Sequence, residues 1–177
     1  MLNKVVVPKG GWFVNQITLY GISGDTALPA DTTAFLMLAH SPDMTMFDGS
    51  IYTGQQVFST RYTGNAHRQD LVFNFSSPLY LAEGTYWLTG YSGHAYSNGG
   101  WWFQRTHDVS ASDVGYYHNP WGGEGDSFGT RSVTVPEALR AWGGKSVPNL
   151  DGALQIVGTV PQGRILHVSV GGTGDGS

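Results

Sequence analysis

Hydrophobic and polar residues alternate with a period of two in several segments of the chain, and glycine or proline residues separate these segments. This pattern predicts short β-strands rather than helices. Residues 69–75 show it clearly, because Leu71, Phe73 and Phe75 fall on one face of a strand. The same alternation predicts further strands at residues 4–7, 12–20, 33–39, 55–60, 79–81, 85–91, 101–105 and 154–159.

Two of these segments are expected to supply the centre of the core. Phe73 in residues 69–75 and Trp87 in residues 85–91 are large and apolar, and we expect them to lie on adjacent strands. Pro78 is expected to end the first of these strands, because proline cannot donate a ladder hydrogen bond.

The strands and the segments between them predict the domain organisation. We expect an all-β fold, a two-layer antiparallel β-sandwich of jelly-roll type, over residues 1–160. Residues 115–147 are rich in glycine and predict a long loop. Residues 161–177 predict a C-terminal extension, with one more strand at 163–170 and a flexible glycine-rich tail.

The composition narrows the function classes. The chain has 177 residues, of which 26 are glycine and 13% are aromatic, which suits a turn-rich β protein with enough rings for a core. Its net charge of -4 argues against electrostatic binding to nucleic acid or to an anionic membrane. No apolar run is long enough to cross a bilayer. The absence of cysteine excludes disulfides and thiolate metal sites.

Few residues suggest catalysis or a cofactor. Residues 125–129 match G-x-S-x-G, but they lack the strand before and the helix after that a nucleophile elbow needs. The six histidines lack the helical spacing of a metal site. Asp43 and Asp48 are the one candidate pair for calcium, against the alternative of a plain turn. We therefore expect a protein that is not an enzyme and needs no cofactor.

A cluster of aromatic residues is the main candidate for a binding site. Trp101 and Trp102 are neighbours on a predicted strand and therefore face opposite ways, so one of them lies outside the core. This outer tryptophan, together with Tyr96 and Trp121, has three alternative roles: packing under the long loop, contact with another subunit, or stacking on a sugar. Stacking on nucleic acid is disfavoured because basic residues are scarce.

The C-terminal strand suggests self-association. Its apolar side chains lie on both faces, so a surface other than the sandwich core must bury some of them. This surface is either an edge of its own sheet or a neighbouring subunit through strand addition, and we favour the subunit. The sequence therefore predicts a homo-oligomer with contacts through four residues, Ile165, Leu166, Val168 and Val170.

A series of short motifs runs through residues 4–159 in a characteristic order. They are Val6-Val7-Pro8, Gly11-Trp12, Tyr20-Gly21, Pro78-Leu79, Gly84-Thr85-Tyr86-Trp87-Leu88, Gly99-Gly100-Trp101-Trp102, Asn119-Pro120-Trp121-Gly122-Gly123 and Leu154-Gln155-Ile156-Val157-Gly158. Their order resembles a β-sandwich domain of bacterial exported and cell-surface proteins, a domain often followed by a sorting anchor. The resemblance implies a sandwich fold and no catalytic residues.

Both ends of the chain depart from that family. Residues 1–8 do not have the basic and apolar regions of a secretory signal, and no sorting anchor follows the domain. The tail beginning Gly171-Gly172-Thr173-Gly174 instead looks like the punctuation of phage fibre and virion surface proteins. We therefore expect a structural or adhesive protein on a phage virion surface, as a decoration or tail-associated protein beside other virion proteins. The alternative is a secreted or cell-surface bacterial domain, with a glycan as ligand.

Overall fold

A computed structural model describes residues 2–23, 32–40, 47–61, 67–92, 102–108, 116–117, 133–134, 150–161 and 165–168. These residues form β-strands and no helix. The strands are β1 (Asn3–Val7), β2 (Trp12–Leu19), β3 (Gly21–Ser23), β4 (Thr33–Ala39), β5 (Phe47–Arg61), β6 (His67–Leu81), β7 (Gly84–Ser92), β8 (Trp102–Gln104), β9 (Thr106–Asp108), β10 (Tyr116–Tyr117), β11 (Val133–Thr134), β12 (Leu150–Gly152), β13 (Leu154–Thr159) and β14 (Ile165–Val168).

Ten of these strands belong to one hydrogen-bonded sheet. Eight of them follow the order β1-β7-β4-β5-β6-β2-β13-β14, and β3 joins the sheet by pairing with both β6 and β8. Two smaller sheets pair β10 with β11 and β12 with β9. Every pairing is antiparallel, which confirms the predicted all-β antiparallel class.

The core forms on one face of the large sheet, as the period of two predicts. In β2 the buried apolar residues are Trp12, Val14, Ile17 and Leu19. The spacing changes after Val14 because the pairing with β6 contains a β-bulge there, which keeps the later apolar residues on the inner face. The other buried core residues are Val5, Val7, Ala34, Leu36, Leu38, Leu71, Phe73, Leu81, Tyr86, Leu88, Leu154 and Ile156.

Strand β6 corrects the prediction of a break at Pro78, because it runs unbroken through that residue. Four residues of β6, 75–78, lie opposite Asn15 of β2 alone, so the ladder needs no amide from Pro78. On the other side of β6, the described pairing with β5 involves residues 67–72, so Pro78 interrupts no bond there either. Proline is therefore tolerated at a bulge of the sheet.

The prediction for the two core residues is half right. Phe73 is fully buried, as expected. The prediction for Trp87 is wrong, because this residue is half-buried on the face of β7 opposite the buried residues Tyr86 and Leu88. Strands β6 and β7 are also not neighbours, since β7 pairs with β1 and β4.

The large sheet curves until its strands face each other. In hydrogen-bonded order, β4, β5 and β6 separate β7 from β2. Nevertheless, a Cβ atom added to Gly90 of β7 would collide with Cδ1 of Leu19 of β2, and would lie 3.3 Å from the carbonyl oxygen of Phe35. Strands β7 and β2 therefore pack across the core, and Gly90 provides the space for Leu19.

We predict that Gly90→Ala destabilises the protein by about 1–3 kcal/mol, since the added methyl group overpacks the core. Leu19→Val shortens the opposing side chain, so the double variant should lose less stability than the two single losses added together. Urea denaturation of the four proteins measures this coupling. Strictly additive losses would show that the two strands do not pack together.

We predict that Phe73→Ala lowers the free energy of unfolding by about 3–5 kcal/mol, because it leaves a cavity in the core. Phe13→Ala is the matched control, since Phe13 is 37% exposed on the outer face of a neighbouring strand. The control should lose less than about 1.5 kcal/mol, the scale of one aromatic pair. Equal losses for the two variants would mean that the inner and outer faces are reversed.

Candidate functional site

Three segments that are distant in sequence meet at a closed ring of backbone hydrogen bonds. The amide of Tyr20 donates to the carbonyl of Ala153 at 3.0 Å, and the amide of Ala153 donates to the carbonyl of Arg105 at 2.7 Å. The amide of Arg105 donates to the carbonyl of Tyr20 at 2.8 Å, which completes the ring. We call this feature the strand junction.

Each segment exchanges one strand partner at its residue of the junction. On one side of Tyr20, β2 pairs with β13, and on the other side β3 pairs with β8. Around Arg105, β8 pairs with β3 and β9 pairs with β12. Around Ala153, β12 pairs with β9 and β13 pairs with β2. The ring thus keeps the backbone amides satisfied at the points where the ladders diverge.

A pair of amide side chains supports the junction from the inner side. The Nδ2 atom of fully buried Asn3 donates to Leu88 O at 2.8 Å and to Gln104 Oε1 at 3.0 Å. Gln104 Nε2 donates to Asn3 Oδ1 at 3.0 Å and to Ala153 O at 3.1 Å. A Cβ atom on Gly152 would collide with this pair, so a glycine is needed beside it. The pair connects β1 to the junction.

A polar and aromatic cluster lies on the outer side of the junction. The Tyr20 ring centroid is 5.3 Å from Cζ of Arg105 and 5.8 Å from Cζ of Arg68. The Tyr20 hydroxyl donates to Gln155 Oε1 at 3.3 Å. The buried carboxylate of Asp70 accepts the amide hydrogen of Gly21 at 3.2 Å, and its other oxygen is 3.6 Å from Nε of Arg68. We call Tyr20, Arg68, Asp70, Arg105 and Gln155 the arginine–tyrosine cluster.

A second outer-face feature is an exposed aromatic pair near the end of the sheet. Phe13 is 37% and Tyr80 is 51% exposed, and their ring centroids are 5.0 Å apart. Phe13 pairs with Thr159 of β13, and Thr159 pairs with Ile165 of β14. Tyr80, Phe13, Thr159 and Ile165 thus form one row across four strands, which we call the aromatic row. This row leads from exposed rings to the last strand of the sheet order.

The structure describes part of the predicted binding residues. Trp102 lies in β8, where its backbone pairs with Ser23 of β3. Asp48, from the calcium candidate, lies in β5. Ile165, Leu166 and Val168 lie in β14, which pairs with β13 of the same chain. The predicted residues outside the described part of the chain are Asp43, Tyr96, Trp101, Trp121 and Val170.

The glycine-rich segment is also described only in part. Its residues Tyr116–Tyr117 and Val133–Thr134 pair as two short antiparallel strands, which the prediction of a long loop did not include. The remaining residues of 115–147 lie outside the described part of the chain.

Sequence patterns contained no signal for the arginine–tyrosine cluster. Its residues come from separated segments, and no short motif places Arg68 and Arg105 beside Tyr20. The aromatic row could have been found, because the alternation that buries Trp12 places Phe13 on the opposite face. The alternation does not give the register between β2 and β6 that brings Tyr80 beside Phe13.

Comparisons with protein families, with curated proteins and with solved structures find no match to this chain. In the described residues, no helix is long and apolar enough to cross a membrane. The same residues include no group of three or more histidine, aspartate or glutamate side chains that could hold a metal ion.

We predict a coupling free energy of about 1–3 kcal/mol between Asn3 and Gln104, because removing either one leaves buried polar groups without partners. A double-mutant cycle with Asn3→Ala and Gln104→Ala measures this value. The control is the exposed pair Gln16 and Asn74, in which Nε2 donates to Oδ1 at 2.7 Å. That pair should couple by less than about 0.5 kcal/mol, since water replaces its bond. Similar couplings in the two cycles would contradict the inner support of the junction.

Proposed function

We propose that this chain is a non-catalytic structural or adhesive module that acts through contacts of its outer surface. The observation that carries the proposal is the aromatic row, in which exposed rings of Phe13 and Tyr80 lead to β14. Aromatic side chains with large exposed area are typical anchors of protein contacts. Within the described residues, β14 also has a strand partner on one side only, which suits pairing with another strand.

The fold that we propose for this module is a two-layer β-sandwich of jelly-roll type. The packing of Gly90 of β7 against Leu19 of β2 supports two layers. The contacts of Gln104 with Asn3 and with Ala153 support closure, because they bring β1, at one end of the sheet order, to the start of β13 near the other end. Sandwiches of this kind are common in particle and surface proteins.

We propose the surface of a phage virion as the place where the module works. The glycine-rich segment Gly171-Gly172-Thr173-Gly174, which resembles segments of phage fibre and virion surface proteins, and the low share of charged residues support this location. The alternative is a secreted or cell-surface bacterial domain that binds a glycan. The exposed pair Phe13 and Tyr80 favours keeping this alternative, because aromatic rings also stack on sugars.

We predict that the full-length chain self-associates at micromolar concentration and that the double variant Phe13→Ser/Tyr80→Ser is monomeric. The reason is the loss of two apolar anchors beside the open strand. Val6→Ser is the control, since Val6 is 58% exposed on β1, at the other end of the sheet order, and should leave the mass unchanged. Light scattering measures the three masses.

A pair of truncations tests the contribution of β14 in the same assay. A chain that ends at Thr159 lacks β14, whereas a chain that ends at Val168 keeps it. We expect the shorter chain to be monomeric and the longer chain to associate. A monomeric full-length chain would contradict the role in assembly, and glycan binding by that monomer would favour the alternative function.

A further inference from the structure

Among its five residues, the arginine–tyrosine cluster holds one more positive charge than negative charge. Arg68 and Arg105 both contact the ring of Tyr20, while the cluster contains one carboxylate, that of Asp70. That carboxylate already accepts a hydrogen bond from the Gly21 amide. Its remaining oxygen lies 3.6 Å from Arg68 Nε, beyond ordinary hydrogen-bond length. The cluster thus carries a net charge of one positive unit in a chain whose net charge is -4.

One nitrogen of each guanidinium group also lacks a hydrogen-bond acceptor among the described residues. In the described part of the chain, the Nε atoms of Arg68 and Arg105 are buried and have no hydrogen-bond partner. Both side chains are only partly buried as a whole, and that of Arg68 is 33% exposed, so the outer ends of these groups can be reached from solvent. Half-buried cations that lack acceptors are favourable sites for an anion, because charge-assisted hydrogen bonds are stronger in partly desolvated surroundings.

The Tyr20 ring positions the two arginines rather than neutralising them. Its face attracts both cations, but it offers no lone pair in the plane of a guanidinium group. Its hydroxyl is occupied by Gln155. The backbone of Tyr20 and Arg105 is fixed by the junction, so both groups start from rigid strands. A binding group that is already ordered loses less entropy when a ligand arrives.

We propose that Arg68 and Arg105 form a binding site for a carboxylate- or phosphate-bearing ligand on the outer face of the strand junction. The planar donors of a guanidinium group match the oxygens of either anion. Acidic sugars and free phosphate share this chemistry. The site does not rest on the proposed function and lies on different residues from the aromatic row.

The experiment titrates the full-length protein with inorganic phosphate, with glucuronate and with neutral glucose. Two-dimensional NMR of the arginine Nε–H groups reports binding directly at the cluster. We expect saturable shifts with at least one of the two anions and none with glucose. Saturation by phosphate alone assigns a phosphate ligand, and saturation by glucuronate alone assigns a carboxylate. No saturable shift with either anion at tens of millimolar would overturn the proposal.

Four variants separate this site from general charge effects. Arg68→Gln and Arg105→Gln should each weaken binding at least about tenfold, the effect of losing one charge-assisted contact. Lys9→Gln removes a positive charge from an exposed turn and should leave the affinity unchanged. Asp70→Asn keeps the acceptor for Gly21 but removes the competing charge, so it should tighten binding severalfold.

The set of variants keeps the proposal testable even if one substitution unfolds the protein. Circular dichroism checks folding of each variant, and Arg68→Gln decides if Arg105→Gln does not fold, because Arg68 lies outside the junction ring. Unchanged affinity in folded Arg68→Gln, or equal weakening in Lys9→Gln, would overturn the site. Weaker binding in Asp70→Asn would also count against it, since a structural effect would then explain the arginine variants.

Discussion

The ring of backbone hydrogen bonds at Tyr20, Arg105 and Ala153 is the constraint on which the described structure depends. At this point three strand segments exchange partners, so ordinary ladder bonds cannot satisfy every amide. An unpaired buried amide costs about 1–3 kcal/mol, and the ring satisfies three of them together. The junction therefore fixes the relative positions of segments that no local sequence pattern connects.

The junction also explains why polar residues lie within the apolar core. Asn3 and Gln104 satisfy each other and extend the hydrogen bonding from Ala153 to the carbonyl of Leu88. Through them β1, the first strand in the sheet order, is held to the strands near its other end. An apolar residue at either position would remove a hydrogen bond to one of these carbonyls and leave the other amide side chain without its partner. The polar pair thus fixes the position of β1 relative to the start of β13, which hydrophobic packing alone does not specify.

The sequence predicts local strands better than it predicts their partners. Residues 33–39 and 154–159 are strands with the predicted bounds, because alternation and turn residues act locally. The errors at Pro78 and Trp87 have another origin, since both depend on which strand lies opposite. The arginine–tyrosine cluster was missed for the same reason. Arg68 and Arg105 both contact Tyr20 only because β6 and β8 pair with β3 on its two sides.

Both proposed surfaces lie on the outer face of one continuous segment of chain. Phe13 of the aromatic row lies in β2, and Tyr20 of the arginine–tyrosine cluster follows the end of that strand. Six residues lie between them, so the extended chain separates them by roughly 20 Å. The two surfaces therefore consist of different side chains on one strand segment. Because one segment carries both, the proposed anion site and the proposed contact surface share a scaffold whose end is fixed by the hydrogen-bond ring of the junction.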